Sequence, residues 1–297
     1  MKAITVKVKP EELGTLLSKV RTSQELGFTN IDLAISLKVD VSGIVREIQA
    51  AGSKVQSLRL AASPNDWKDT ATPSFIRLAS PNDRVRSSSV ALVTSVCQGL
   101  SRSGVATVVL DGGVVDAPGA IWPAIEASLE EGGDDTAKLV KQALELRAAL
   151  IDKALPALCR SIFELTKACE GLRFGILTPL SPLGVCLPTE MEHLLSDAPP
   201  KAVGYWHSTS AARCLENLGV ANEEQWLDRF GPRMFGVYLS DSVGAQGEQA
   251  PGLGEVNFKR IKPYLATNMA RVLTIDDDAS SSKLRFGADH LCEVGIF

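Results

Sequence analysis

Short apolar runs alternate with amphipathic stretches from one end of the chain to the other. The runs Ala3–Val8, Asn30–Ile35, Val55–Leu60, Ala106–Leu110, Arg173–Leu177, Ala202–His207, Met234–Leu239 and Arg271–Ile275 predict strands. The stretches between them repeat apolar positions at helical spacing. Glu11–Leu26 puts Leu13, Leu16, Leu17 and Val20 on one face, and Ser42–Ala51 does the same with Ile44, Val45 and Ile48. Arg84–Ser103, Lys138–Glu170, Thr189–Leu195, Glu223–Phe230 and Phe258–Leu265 follow the same rule. Pro156 is expected to kink or split the longest of them. Gly27, Gly52, Gly104, Gly171 and Gly219 punctuate the element ends. Eight strands with helices between them, in 297 residues, predict the α/β class and a single (β/α)8 TIM barrel spanning residues 1–297. A doubly wound open sheet is the other arrangement of such a pattern, but no glycine-rich nucleotide fingerprint follows the first strand. The longest irregular stretches, Thr70–Pro81 and Ser242–Gly254, each follow a strand and are expected to be mouth or lid loops.

Barrel strands send alternate side chains to the lumen and to the helix layer. Thr5 and Lys7 oppose Ile4, Val6 and Val8; Asp32 opposes Ile31, Leu33 and Ile35. Ser57 and Arg59 oppose Leu58 and Leu60, and Tyr238 and Ser240 oppose Val237 and Leu239. Thr274 and Asp276 oppose Leu273 and Ile275, while Asp111, Thr178 and His207 end the fourth, fifth and sixth strands. Taking the polar side as lumenal, the C-terminal mouth gathers Lys7, Asp32, Arg59, Asp111, Thr178, His207, Tyr238, Asp241 and Asp276. Active sites of this fold lie at that end. Residues of both charges there suit a small hydroxylated or anionic ligand. Each one taken alone also has a structural alternative, a pairing with its neighbours in the barrel.

Charge narrows the partners. With 31 Lys+Arg against 35 Asp+Glu the net charge is −4, and no basic run exceeds two residues, so nucleic acid is not an expected partner. The amino-terminal segment turns polar too soon for a signal peptide, and no apolar run approaches the ~18 residues of a membrane span. A cytoplasmic protein without membrane contact is the expectation. The six cysteines are dispersed without zinc-type spacing and are expected to be reduced, mostly buried thiols; Cys186, in a loop, is also a conceivable nucleophile.

Certain segments carry a family resemblance. FGVYLSDSVGAQGEQAPGLGEVNFKRIKPYL, from Phe235 to Leu265, resembles the seventh β/α unit of the xylose-isomerase-like TIM barrels, which include sugar isomerases, epimerases and endonuclease IV. ELGFTNIDLAI resembles the family's approach to strand two, with Asp32 where glutamate is usual. ASPNDRVRSSSVALVTSVCQGLSRSGVATVVLDGG resembles its third helix and fourth strand, and GLGEVNFKRI its glycine signature, with Asn257 in place of aspartate. The resemblance implies the barrel, a sugar isomerase or epimerase activity, and a homodimer.

It also implies a divalent metal (Zn, Mn, Co or Mg) held by Glu, Asp plus His, His and Glu from strands five to eight. Thr178, His207 with Ser210, Tyr238 with Asp241, and Asp276 occupy the matching positions, so the metal site is expected to be degenerate. His207, Asp241 and Asp276 remain as candidate ligands or catalytic acid/base groups. Lys7 and Arg59 are candidates for holding an anionic group, and Asp32, Asp111, Thr178, Tyr238 and Trp206 for contacting a small carbohydrate-like hydroxy or keto compound. Asp116 and Glu190 are candidates to replace a lost ligand from unmatched loops, and His193 and His290 are predicted on helices away from the mouth. The alternative function is a catalytically silent ligand-binding or assembly protein, with Trp67 and Trp206 as stacking surfaces or as ordinary packing at the rim. Nuclease activity would need more His, Asp and Glu ligands at the mouth than the chain supplies.

Overall fold

The computed structural model of the chain describes every residue except 9, 36–39, 61–75, 101–102, 118–120, 132, 134 and 277–278. Trp67 and the first half of the Thr70–Pro81 loop therefore lie outside the described residues. Strands β1 (Lys2–Val8), β2 (Asn30–Ile35), β3 (Lys54–Leu60), β4 (Thr107–Leu110), β5 (Arg173–Leu177), β6 (Val203–Ser208), β7 (Met234–Leu239) and β10 (Ala270–Leu273) close into a parallel barrel in chain order. Between β7 and β10 the chain makes an antiparallel hairpin, β8 (Asp241–Val243) and β9 (Gln246–Gln249), where the sequence predicts an irregular loop.

Helices α1 (Leu16–Glu25), α2 (Val41–Ala50), α3 (Asp83–Leu100), α5 (Thr136–Ala168), α6 (Pro188–Asp197), α8 (Glu223–Phe230) and α9 (Phe258–Ile261) answer to the helical spacings in the sequence. Two more, α4 (Ile121–Glu130) and α7 (Thr209–Asn217), fall where the spacing is too short or too mixed to read, and α10 (Ser281–Glu293) is the helix expected to carry His290. Leu13 and Leu17 are exposed, contrary to the predicted face. A 3-10 turn over Pro10–Thr15 advances three residues per turn, not 3.6, and leaves only Leu16, Val20 and Ser23 buried in α1. Helix α5 is not split at Pro156. That proline lies on its exposed side, while Ala154, Ala157 and Leu158 are buried on both sides of it and hold the two halves to the barrel.

The main core lies between the strands and the helices, and a smaller one fills the lumen: Ala3, Val109, Leu177, Trp206, Tyr238, Ala270 and Val272. Trp206 dominates it. A side chain at Gly175 or Gly236 would put its Cβ 2.9 Å and 2.5 Å from the indole, so both neighbouring strands carry glycine where the ring lies. A cavity of about 590 Å3 opens below this layer, at the N-terminal ends of the strands, against Gln56, Thr107, Arg173, Trp206 and Phe235.

Candidate functional site

Strand register assembles the polar side chains at the opposite end. Thr5 pairs with Asp32 across β1–β2, and Asp32 with Ser57 across β2–β3. One residue pair further up, Lys7 and Arg59 flank Ala34. Asp32 is fully buried and accepts from Ser57 Oγ at 2.5 Å, Thr5 Oγ1 at 3.2 Å and the Tyr238 hydroxyl at 3.3 Å. The Arg59 guanidinium lies over the Tyr238 ring, 5.1 Å from its centroid. Asp111, at the end of β4 and half-buried, accepts from the Gly113 amide at 2.8 Å and feels the charge of Arg59.

A residue that the sequence did not single out completes the cluster. Glu248, on β9, bridges Lys7 Nζ at 2.7 Å and Arg59 Nη1 at 3.5 Å. Its φ of 57° makes it the one non-glycine residue with positive φ among the described residues. Its carbonyl accepts from the Asp276 amide at 3.0 Å. Nothing in the residue type announces this, because glutamate rarely adopts the left-handed region. The available signal is its place in a glycine-rich segment after the seventh strand.

Burial shapes the charges. It raises the Asp32 carboxyl to about 6, against the bonds from Ser57, Thr5 and Tyr238 and the charge of Arg59. Burial also raises Asp111, opposed by the Gly113 amide and Arg59. Glu248 is pushed up by burial but pulled down further by Arg59 and Lys7, and ends below the usual carboxylate range. A carboxyl raised in the folded state contributes stability below its unfolded pKa and loses it as pH rises through the folded one. Asp32→Asn should therefore gain on the native protein between pH 4 and pH 7, by about 3 kcal/mol at most. Urea denaturation at both pH values checks this; a difference that stays constant would contradict it.

The structure brings together Lys7, Asp32, Arg59, Asp111 and Tyr238, with Asp276 joined to Glu248 through its backbone, but not Thr178, His207, Trp206 or Asp241. On β6 the sides are reversed relative to the polar-parity expectation, because the indole of Trp206 occupies the lumen. Tyr205 and His207 consequently face the helices. The Tyr205 ring packs on Trp226 and Phe230 of α8, and its hydroxyl bonds His207 Nδ1 and Thr178 Oγ1, each at 2.7 Å. Thr178 Oγ1 also accepts the Ser208 amide at 3.0 Å. His207 is buried and its Nε2 has no partner; burial lowers its pKa to about 3, so it stays neutral. Thr178 and His207 thus belong to the wall behind the strands. Trp206 is fully buried, not a stacking surface at the rim.

Asp241 is spent on the chain's own backbone. Its carboxylate accepts the amides of Ser242 at 2.9 Å, Gly252 at 2.9 Å and Val256 at 2.8 Å, closing the loop that carries the hairpin. Gly254 passes so close that a Cβ there would lie 2.5 Å from Oδ1. Asp241→Ala should cost about 3 kcal/mol by leaving buried amides unsatisfied. It should also speed amide exchange at Gly252 and Val256; unchanged exchange there would contradict this role.

Asp276 is exposed. Among the described residues no group of three or more His, Cys, Asp or Glu side chains is arranged to hold a metal ion. A divalent cation does not fit the trio of His207, Asp241 and Asp276. Asp116 pairs with Arg77, and Glu190 with the buried Arg147 at 2.5 Å. Cys186 is buried, and burial raises its thiol well above the usual range, which leaves no thiolate for nucleophilic attack. His193 and His290 lie on α6 and α10.

Solved structures share the architecture end to end. A D-tagatose 3-epimerase-like protein aligns over 99% of this chain and 96% of its own, with TM-score 0.66 and 14% identity. The 3-keto-D-glucoside 4-epimerase YcjR from E. coli aligns over 99% and 98%, with TM-score 0.65 and 13% identity. A xylose isomerase domain protein from Planctomyces limnophilus aligns over 98% and 95%, with TM-score 0.62 and 14% identity. The chain has the xylose-isomerase-like TIM-barrel fold. No family model and no curated protein matches the sequence. At these identities the likeness extends to the xylose-isomerase-like fold and not to the chemistry of its members. No helix among the described residues is long and apolar enough to cross a membrane.

Proposed function

We propose that the protein isomerises a small hydroxy-carbonyl compound of the carbohydrate class at the C-terminal mouth of the barrel. One observation carries this: Asp111, its pKa raised, feels the charge of Arg59, which shares Glu248 with Lys7 above the buried Asp32–Tyr238 network. Asp111 takes the proton from the carbon next to the carbonyl, and the electron pair moves onto the carbonyl oxygen. Arg59 and Lys7 stabilise the resulting enediolate; the proton of the adjacent hydroxyl passes to the former carbonyl oxygen, and Asp111 returns its proton to the former carbonyl carbon as the neighbouring C–O becomes the new carbonyl. One carboxylate suffices for such a shift on one face of the substrate. Epimerisation at a single carbon needs donors on both faces, so isomerisation is the better match. Asp32 is a positioning residue that holds Tyr238 beneath Arg59. The resemblance of the fold to that of the epimerases supports the substrate class.

The test is incubation with a panel of ketoses, aldoses and their acids in deuterated water, read by proton NMR. Deuterium should enter at the carbon beside the carbonyl of one compound, and Asp111→Asn should abolish it. A second reading, a non-catalytic ligand-binding protein, is favoured by the Glu248 carboxylate lying across both cations. Saturable binding without any exchange would select it.

A further inference from the structure

Glu248 makes the contacts that a bound acid would make. Its carboxylate spans a lysine and an arginine at the centre of the proposed site, and it reaches them from a hairpin rather than from the barrel wall. The Lys7, Arg59 and Glu248 side chains keep 20%, 13% and 31% of their exposure, so the carboxylate covers the cations from the solvent side.

The hairpin is a short ribbon laid against α7. Its strands are three and four residues long with a shifted register, and a two-stranded ribbon of that size has little stability of its own. Asp241 clamps its base, whereas Glu248 sits in the left-handed region at a cost of about 1 kcal/mol. Lifting β9 would release that strain and give up the bond from the Asp276 amide to the Glu248 carbonyl.

Charge decides whether an anion adds to this site or replaces something in it. Lys7 and Arg59 bring two positive charges, and they already face Glu248, Asp32 and Asp111. A further anion beside Glu248 would meet a like charge, and among the described residues Lys7 and Arg59 are the cations that Glu248 already engages. We infer that the site takes a hydroxy or keto acid whose carboxylate displaces Glu248 from Lys7 and Arg59, making Glu248 a tethered stand-in for the ligand. This rests on the proposed mouth site and adds the acidic substrate class and the means of closure. The displaced hairpin opens the site to acids, while a neutral sugar gains nothing from expelling Glu248.

Calorimetry with D-gluconate and with D-glucitol, its uncharged counterpart, tests the inference on the native protein and on Glu248→Gln. The amide keeps the size of the side chain and removes the competing charge. D-Gluconate should bind the variant at least about tenfold more tightly than the native protein, since a tethered competitor acts at high effective concentration. D-Glucitol should bind both alike, and D-gluconate should increase deuterium uptake over residues 241–249 of the native protein. Equal or weaker D-gluconate binding by Glu248→Gln would overturn the inference. Equal binding of D-glucitol and D-gluconate would overturn it too, yet leave the mouth as a ligand site. If neither bound, the mouth-site reading would fall with it.

Discussion

Trp206→Ala is expected to destabilise the protein by about 3–5 kcal/mol, the range for removing a large buried aromatic. The barrel cannot collapse around the loss. Strand hydrogen bonds fix the wall, and Gly175 and Gly236 on the neighbouring strands offer no side chain to move in, which leaves Tyr238, its ring 5.3 Å from the indole, without that packing partner. The void would also join the cavity below. Urea denaturation should show a large fall in midpoint, with Trp206→Phe losing less. Gly236→Ala is the converse case, since its Cβ would press into the indole, and overpacking of that kind costs about 1–3 kcal/mol. If Trp206 were a stacking surface, its replacement would instead weaken ligand binding and spare stability.

Arg59→Gln is expected to lower kcat/KM of the proposed isomerisation by about 100–1000-fold, the size seen when one stabilising donor is removed from a developing oxyanion. Arg59 also lies near Asp32, Asp111 and Glu248 and over the ring of Tyr238. Its loss should therefore raise the pKa of all three carboxyl groups, because its charge opposes burial at each. Carbon-13 NMR titration of the side-chain carboxyls reads this apart from activity. Unmoved carboxyl titrations would show that Arg59 is not the centre of the cluster. Arg59→Lys should restore part of the titration shift and less of the activity, since a point charge does not reproduce the planar guanidinium over Tyr238.

The candidate site was legible wherever a lone polar residue interrupts an apolar strand. Asp32 among Ile31, Leu33 and Ile35 has only one place to go, and register then delivers Thr5 and Ser57 to it. The same logic misleads on β6, where both sides carry large residues and polarity does not decide between them. Trp206 takes the lumen because its neighbours there are glycines from β5 and β7, residues distant in sequence. His207 follows its parity to the other side, where the Tyr205 hydroxyl satisfies one nitrogen. Asp241 matches the resemblance in position, but the loop that folds back at Gly252–Val256 consumes its carboxylate. Glu248 is the reverse case, a residue with no sequence mark placed over Lys7 and Arg59 by a hairpin.

Periodicity in the chain is enough for the α/β alternation, the eight strands, most of the helices, the α2 face and the meeting of Lys7, Asp32, Arg59, Asp111 and Tyr238. Those follow from periodicity and strand pairing, which act over a few residues or between adjacent elements. Long-range packing was needed to set which side of β6 faces inward, where the carboxylate of Asp241 is spent, and that Glu248 closes the cationic pair. Each depends on the shape or hydrogen-bonding demand of a segment far along the chain: the glycines facing the indole, the amides folding back onto Asp241, and a backbone turn that glutamate adopts only where surrounding contacts hold it.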